Sequence, residues 1–303
     1  LADSEQIDLG LVGVSDEAGL EHIRAPGDLG ERRETVLLFS GCVGEGLFAH
    51  VNRATTRVLE ANGFPVEVPR EQVCCGALHA HAGDLEAARD LAKKNLGAFG
   101  DDTTSIITNA GGCGAMLASY GHLLQEDEQV ADIARKFSTR VKDISQQLQS
   151  IDIRKGTGRD DQSVTYDASC HLLYGQHAAD SSRAMLRSIP DLNFTELKGS
   201  ERCCGGAGVY NMMQPEMSGR VLQEKLKNIV DSGAEVLTTG NPGCQMQIGA
   251  GACLAHIKLD VRHPVELLAG VVEDPLPHVG RRGEHEYVDR SELVRRTGDR
   301  LVV

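Results

Sequence analysis

The sequence predicts an α/β fold of two pseudo-repeated Rossmann-like units, each a small parallel sheet flanked by helices. Three observations carry this reading. Short buried apolar runs alternate with stretches of helical periodicity. A plan of one Cys, then an adjacent Cys pair before Gly, then one Cys, occurs twice: Cys42, Cys74–Cys75 and Cys113, then Cys170, Cys203–Cys204 and Cys244. The flanks recur as well, "CCGALHAH" with "CCGGAGVY" and "TNAGGC" with "TTGNPGC". Corresponding cysteines lie 128, 129 and 131 positions apart, which marks a duplicated unit of about 130 residues.

In the first unit, Thr35–Ser40 is a buried strand. Leu47 to Leu59 has apolar residues at helical spacing and closes at Asn62–Gly63. Pro65–Val68 is a second strand. Leu85, Ala88, Leu91, Leu96 and Phe99 share one face of a helix, and Ser105–Thr108 is a third strand. Val130, Ile133, Phe137, Val141, Ile144 and Leu148 predict one long amphipathic helix. The second unit has strands at Ser163–Asp167, Phe194–Leu197 and Glu235–Thr238, with Ile257–Val261 as a last strand before "HPVELL". Pro215 opens its clearest helix, which runs through Met217, Val221, Leu222, Leu226 and Ile229 to a cap at Gly233.

A chain of 303 residues with 41% hydrophobic residues is long enough for two buried cores. Residues 1–34 carry nine acids against Arg24, Arg32 and Arg33, and read as an acidic linker or arm. Residues 35–150 form the first unit, 151–162 a linker containing "KGTGRDD", 163–270 the second unit, and 271–303 a loose tail. The net charge of −13 opposes general nucleic-acid binding. No apolar run approaches the ~18–20 residues of a membrane span. The chain opens without a signal-peptide pattern. Nine cysteines, an odd number over two units, do not suit a secreted disulfide framework. The reading is a cytoplasmic protein whose cysteines serve another purpose.

In a parallel sheet the carboxyl ends of all strands share one edge, where ligand sites form. Each set of four cysteines can therefore converge. Adjacent cysteines in a regular strand point to opposite faces. Both reach one centre only if the chain turns, which the following Gly permits through positive φ. Soft thiolates suit iron–sulfur clusters and zinc. Structural zinc sites use C-x₂₋₄-C pairs and disulfide enzymes use C-x-x-C. Neither pattern is present. An iron–sulfur site fits best, while plain core packing of thiols does not explain two copies of the plan. Cys253 has no counterpart and reads as a buried structural thiol.

The segments "FSGCVG", "VCCGALHAH", "NAGGCGAML", "DASCHLLYGQ", "ERCCGGAGVYNMMQPEM" and "NPGCQMQIGAGA" carry a resemblance. Over roughly residues 35–270 the chain resembles the duplicated cysteine-rich (CCG) domain family of glycolate oxidase iron–sulfur subunits. Lactate-utilisation iron–sulfur proteins and the cysteine-rich component of heterodisulfide reductase belong to the same group. The resemblance implies an electron-transfer subunit that is not catalytic alone. A flavoprotein dehydrogenase subunit with FAD would oxidise a 2-hydroxy acid. Electrons would pass through iron–sulfur clusters, of the 4Fe-4S type, toward a membrane acceptor. The ligands would be Cys42, Cys74, Cys75 and Cys113, and Cys170, Cys203, Cys204 and Cys244. The resemblance also implies a ferredoxin-type iron–sulfur module with C-x₂-C-x₂-C-x₃-C-P runs. No such run occurs here, so it would sit on a further stretch or another chain. Contact with the inner face of the cell membrane would be at most peripheral. The fullest form of the motif ends in C-x-x-C, but Met116 and Gln247 stand at the fifth position. Two alternatives stay open: a heterodisulfide or thiol reductase-type subunit, and a cluster-free docking module.

His171, beside Cys170, is a candidate ligand or outer donor, and His79 and His81 are weaker ones. Tyr174, Tyr210 and Asn211 line the second site or pack its helices. "GGAG" at Gly205–Gly208 reads as a loop facing sulfur rather than phosphate. Arg183 and Arg202 read as solvated.

Overall fold

The computed structural model describes residues 33–100, 102–151, 153 and 162–272. The acidic arm up to residue 32, the tail beyond 272 and most of the predicted linker lie outside them. The first sheet is built in chain order from β1 (Val36–Leu38), α1 (Cys42–Ala61), β2 (Val66–Glu67), α2 (Ala77–His81), α3 (Leu85–Phe99) and β3 (Ile106–Thr108). It continues through α4 (Gly111–Ala118), α5 (Tyr120–Leu123), α6 (Ala131–Arg140), β4 (Val141–Asp143) and α7 (Ile144–Gln149). The second sheet follows with β5 (Ser163–Asp167), a π-helical turn (His171–Gly175), α8 (Ala179–Arg187), β6 (Asn193–Glu196), α9 (Tyr210–Met213) and α10 (Pro215–Ser232). It ends with β7 (Val236–Thr239), α11 (Pro242–Leu254), β8 (Asp260–Arg262) and α12 (Pro264–Val271).

Both sheets are four-stranded and parallel throughout, with orders β2-β1-β3-β4 and β6-β5-β7-β8. These are the same topology, so the predicted α/β class and the pair of Rossmann-like units hold. In each sheet the strand order reverses between the first and third strands, where crevices form at the carboxyl edge. Local signals act as expected on α10. Pro215 stands at its start, and Gly233 ends it at φ 69°.

Two expectations need correction. The long helix from Val130 to Leu148 is broken, because Val141–Asp143 leaves helical geometry to pair with β3 (Ile106↔Val141, Thr108↔Asp143). Asp143 then caps α7 by accepting from the Ser145 N–H, and Gln146 accepts from the Asp143 N–H in return. Ladder bonds and a capping box outweigh the helical pattern there. Cys253 is exposed rather than buried. The buried face of α11 is Cys244, Gln245, Ile248, Gly251 and Ala252, and Cys253 falls off it.

One apolar core is shared by the two sheets. It joins Val36, Val51, Val58 and Leu59 to Tyr166, Met185, Leu186, Val265 and Leu268. The sharing is reciprocal: α7 packs on α8, and α12 packs on α1 as well as on α8. Each sheet's other face has its own core, with Phe39, Leu96, Ile106 and Tyr120 on the first sheet, and Leu226, Leu237 and Ile248 on the second.

Candidate functional site

Each set of four cysteines gathers at the carboxyl edge of its sheet. Cys42 begins α1 directly after β1, and Cys113 lies in the first turn of α4 after β3. Cys74 and Cys75 lie in the loop between β2 and α2. The turn after the pair has the backbone expected of it: φ is 83° at Gly76 and 89° at Gly205. A Cβ at Gly205 would meet the Ser218 carbonyl oxygen at 2.6 Å, and one at Gly76 would meet the Ala88 backbone at 3.3 Å. Glycine is required at both positions by conformation and by space.

In the first site, the Cys42 and Cys74 sulfurs are 3.5 Å apart. Cys74 contacts Cys75, and Cys75 contacts Cys113, so the four thiols form a chain. Burial and then the Cys74 contact push the Cys42 thiol up. The contact with Cys75 and then burial raise Cys74, and the contact with Cys113 raises Cys75. Behind the pair, Asn95 accepts from the Val73 N–H at 2.9 Å and donates to the Cys74 carbonyl at 3.2 Å. The Tyr120 hydroxyl donates to the Cys75 carbonyl at 2.9 Å.

In the second site, the Cys204 and Cys244 sulfurs are 3.2 Å apart. The Gly205 N–H donates to Cys203 Sγ at 3.3 Å, and the Gly206 N–H to Cys204 Sγ at 3.5 Å. Hydrogen bonds from Cys170 and then Cys204, with the Gly205 N–H, hold Cys203 well below the usual thiol range. Cys170 and Cys204 are raised as its donors. Behind this loop the first site's Asn95 is replaced by a buried ion pair. Lys225 Nζ bonds Asp167 Oδ1 at 2.6 Å and the carbonyls of Gly199 and Ser200 at 3.0 and 3.1 Å. Asp167 Oδ2 accepts from the Thr239 hydroxyl at 3.0 Å.

The two sites meet across the unit boundary. The His81 and His171 rings stack with centroids 5.7 Å apart, and His171 Nδ1 is 3.8 Å from Cys170 Sγ. Burial, then the neighbouring His81, lowers the His171 pKa. The Gly111 N–H donates to the Gly240 carbonyl at 2.8 Å. Asn211 braces the loop after the second cysteine pair: its N–H donates to the Gly206 carbonyl at 3.3 Å and its side chain to Gln247 Oε1 at 3.0 Å. Gln247 in turn donates to Ser218 Oγ, whose hydroxyl donates to the Gly205 carbonyl. At the fifth-cysteine position, then, Gln247 buttresses the Cys–Cys–Gly loop. Met116, its counterpart, packs on the first sheet's own core. Tyr174 is exposed, and His79 faces Asp84 at 3.4 Å rather than a cysteine. Arg183 is not simply solvated: it bonds Asp180, Glu196 and Ser200, and Arg202 pairs with Glu224.

Sequence reasoning did not find Lys225, Asp167, Asn95, Tyr120 or Asn241. Lys225 and Asn95 left a signal, each a polar residue on an apolar helical stripe, the one between Leu222 and Leu226 and the other between Leu91 and Phe99.

The donor set fits an iron–sulfur cluster. Each site has four soft thiols, and backbone N–H groups already donate to sulfur in the second. Among the described residues no three His, Cys, Asp or Glu side chains close on one point as ligands of a single metal ion. A cluster asks something different, since its thiolates bind separate irons.

The fold and the site together define a duplicated parallel-sheet protein with a four-cysteine site at the carboxyl edge of each half. The chain belongs to the cysteine-rich (CCG) domain family, whose domain matches residues 36–118 and 164–249. It is 38% identical over 226 residues to the "Probable glycolate oxidase iron-sulfur subunit" of Bacillus subtilis, covering 74% of this chain and 51% of that one. It is 31% identical over 240 residues to lactate utilization protein A of Oceanobacillus iheyensis, covering 77% of this chain and 96% of that one. It is 30% identical over 248 residues to the glycolate oxidase iron-sulfur subunit of Escherichia coli K12, covering 80% and 59%. The chain thus spans little more than half the length of the two glycolate oxidase subunits. Among the described residues no helix is long and apolar enough to cross a membrane.

Proposed function

We propose that this chain is the iron–sulfur electron-transfer subunit of a flavin-dependent 2-hydroxy-acid dehydrogenase complex of the glycolate oxidase kind. The observation that carries the proposal is the gathering of four thiols at the same edge of each of two equivalent sheets. Cys42, Cys74, Cys75 and Cys113 would hold one 4Fe-4S cluster, and Cys170, Cys203, Cys204 and Cys244 another. Residues 35–150 and 163–270 are then the two cluster-binding domains. A bound cluster supplies single-electron uptake and release. The chain's own residues do the rest. Gly76 and Gly205 turn each Cys pair toward the site. The Gly205 and Gly206 N–H groups stabilise thiolate charge. Asn95 and Lys225 brace the two loops from behind. Loading the clusters displaces the thiol protons now shared along each chain of sulfurs.

The partners in this reading are an FAD-bearing flavoprotein subunit, which performs the hydride chemistry, and a ferredoxin-type module. Electrons pass to a membrane acceptor through peripheral contact at the inner face of the cell membrane. The names of the glycolate oxidase and lactate utilization relatives support this assignment.

The test is iron and acid-labile sulfide per chain in protein purified without oxygen, with EPR of the reduced sample. About four irons and four sulfides per site, with a reducible signal, are expected. The Cys203→Ser/Cys204→Ser variant should lose the second site's iron and keep the first. Unchanged iron in that variant removes the ligand assignment. A second reading, a thiol or disulfide reductase, draws on the 3.2 Å contact between Cys204 and Cys244. Disulfide turnover by the isolated, metal-free protein would favour it.

A further inference from the structure

Asn241 stands between the two cysteine sites, bonded to a sulfur of the second and to the backbone beside a cysteine of the first. Its Oδ1 accepts from the Gly112 N–H at 3.0 Å, and Gly112 precedes Cys113 of the first site. Its Nδ2 donates to Cys244 Sγ of the second site at 3.4 Å. The orientation of the amide is decided by its partners. A backbone N–H can only donate, so the oxygen must face Gly112 and the NH₂ must face the sulfur. By the cysteine register the matching residue in the first unit is Ala110, which has no donor. The backbone donors to sulfur sit on the matching Cys–Cys–Gly loop, whereas this side-chain donor belongs to the second site alone.

Reducing a thiolate-bound cluster adds negative charge that spreads onto its sulfurs. An N–H aimed at a ligand sulfur stabilises that added charge and makes reduction easier. We infer that Asn241 raises the reduction potential of the second centre and joins it to the first by an unbroken hydrogen-bonded path from Cys244 Sγ to the Gly112–Cys113 backbone. Asn241 thereby makes the two centres of a duplicated protein inequivalent and biases a shared electron toward the second. Each transfer oxidises the first centre and reduces the second by one electron. Burial of Cys204 and Cys244 acts the other way, because a low dielectric disfavours the reduced charge. The effect of Asn241 must therefore be read by changing that residue alone.

The inference rests on the proposed iron–sulfur function, and its test separates the two. The whole chain, loaded with iron and sulfide, is titrated with dithionite and followed by EPR. The Cys203→Ser/Cys204→Ser variant assigns which signal belongs to the second centre. Asn241→Ala removes the donor, and Asn241→Asp keeps the bond from Gly112 but sets an anion against Cys244. The expected result is a lower midpoint potential for the second signal in Asn241→Ala. A still lower one is expected in Asn241→Asp, with the first signal in place in both. A merely structural role would not produce that order, since Asn241→Asp preserves the inter-unit bond. If the loaded variants titrate like the parent, this inference is overturned and the iron–sulfur assignment stands. A parent chain that takes up no iron and sulfide overturns both.

Discussion

Gly205 is more constrained than Gly76, although both follow a Cys pair and both have positive φ. The difference lies in what stands opposite: the Ser218 carbonyl at 2.6 Å against the Ala88 backbone at 3.3 Å. Gly205→Ala must move a backbone that Gly76→Ala only presses. Both substitutions also cost about 1 kcal/mol or more for an L side chain in the left-handed region. Gly205→Ala should therefore lower the urea midpoint more than Gly76→Ala and lose the second site's iron selectively. Equal losses would show that the φ requirement dominates. The residues behind the two loops differ in kind. Lys225→Met leaves Asp167 as an uncompensated buried charge and should cost roughly 3–5 kcal/mol. Asn95→Ala leaves one neutral donor and one acceptor unpaired and should cost about 1–3 kcal/mol. The same denaturation experiment ranks them.

At the scale of elements, α7 and α12 occupy equivalent places after β4 and β8, and each begins with a capping box. The caps are a carboxylate in one and an imidazole in the other, and they respond to pH in opposite senses. Burial raises Asp143 from 3.8 to about 6. The folded state therefore binds this proton more tightly, and stability falls as pH rises from about 4 through 6. Asn accepts the same cap bond without ionising. Asp143→Asn should thus gain about 1–3 kcal/mol at pH 8 and nothing at pH 3.5. Burial lowers His263 from 6.5 to about 3, with its Nδ1 accepting from the Val265 N–H at 3.0 Å. Stability from the neutral ring is complete above pH 6.5 and drains away as pH falls toward 3. His263→Asn keeps an N-cap acceptor and should flatten that acid limb. Chemical denaturation at a series of pH values, with each variant subtracted from the parent, reads both effects.

For the whole molecule, the consequence of the shared core is cooperativity. Leu59 on α1 and Leu268 on α12 belong to different sequence repeats yet pack in one cluster. Calorimetry should find one unfolding transition for the two sheets together. Leu59→Ala and Leu268→Ala should each shift it by the usual 2–5 kcal/mol for a buried Leu. Two separable transitions, each sensitive to only one substitution, would mean the halves are energetically independent. The reciprocal packing of α7 on α8 and α12 on α1 argues against that.

The α/β class, the duplication, seven of the eight strands and the eight cysteines that gather at the sheet edges were legible in the sequence, whereas β4 reads as helix. These are local or periodic signals: buried apolar runs, 3.6-residue stripes, Pro and Gly at helix ends, and a cysteine plan written twice. Packing of the assembled chain set the rest. It broke the Val130–Leu148 helix, because ladder bonds to β3 exist only once the sheet is assembled. It exposed Cys253, whose burial depends on which face of α11 meets the core. It also placed Asn241 between Gly112 and Cys244, a position created by packing one repeat against the other. No window of sequence contains that contact, because its partners are 129 residues apart.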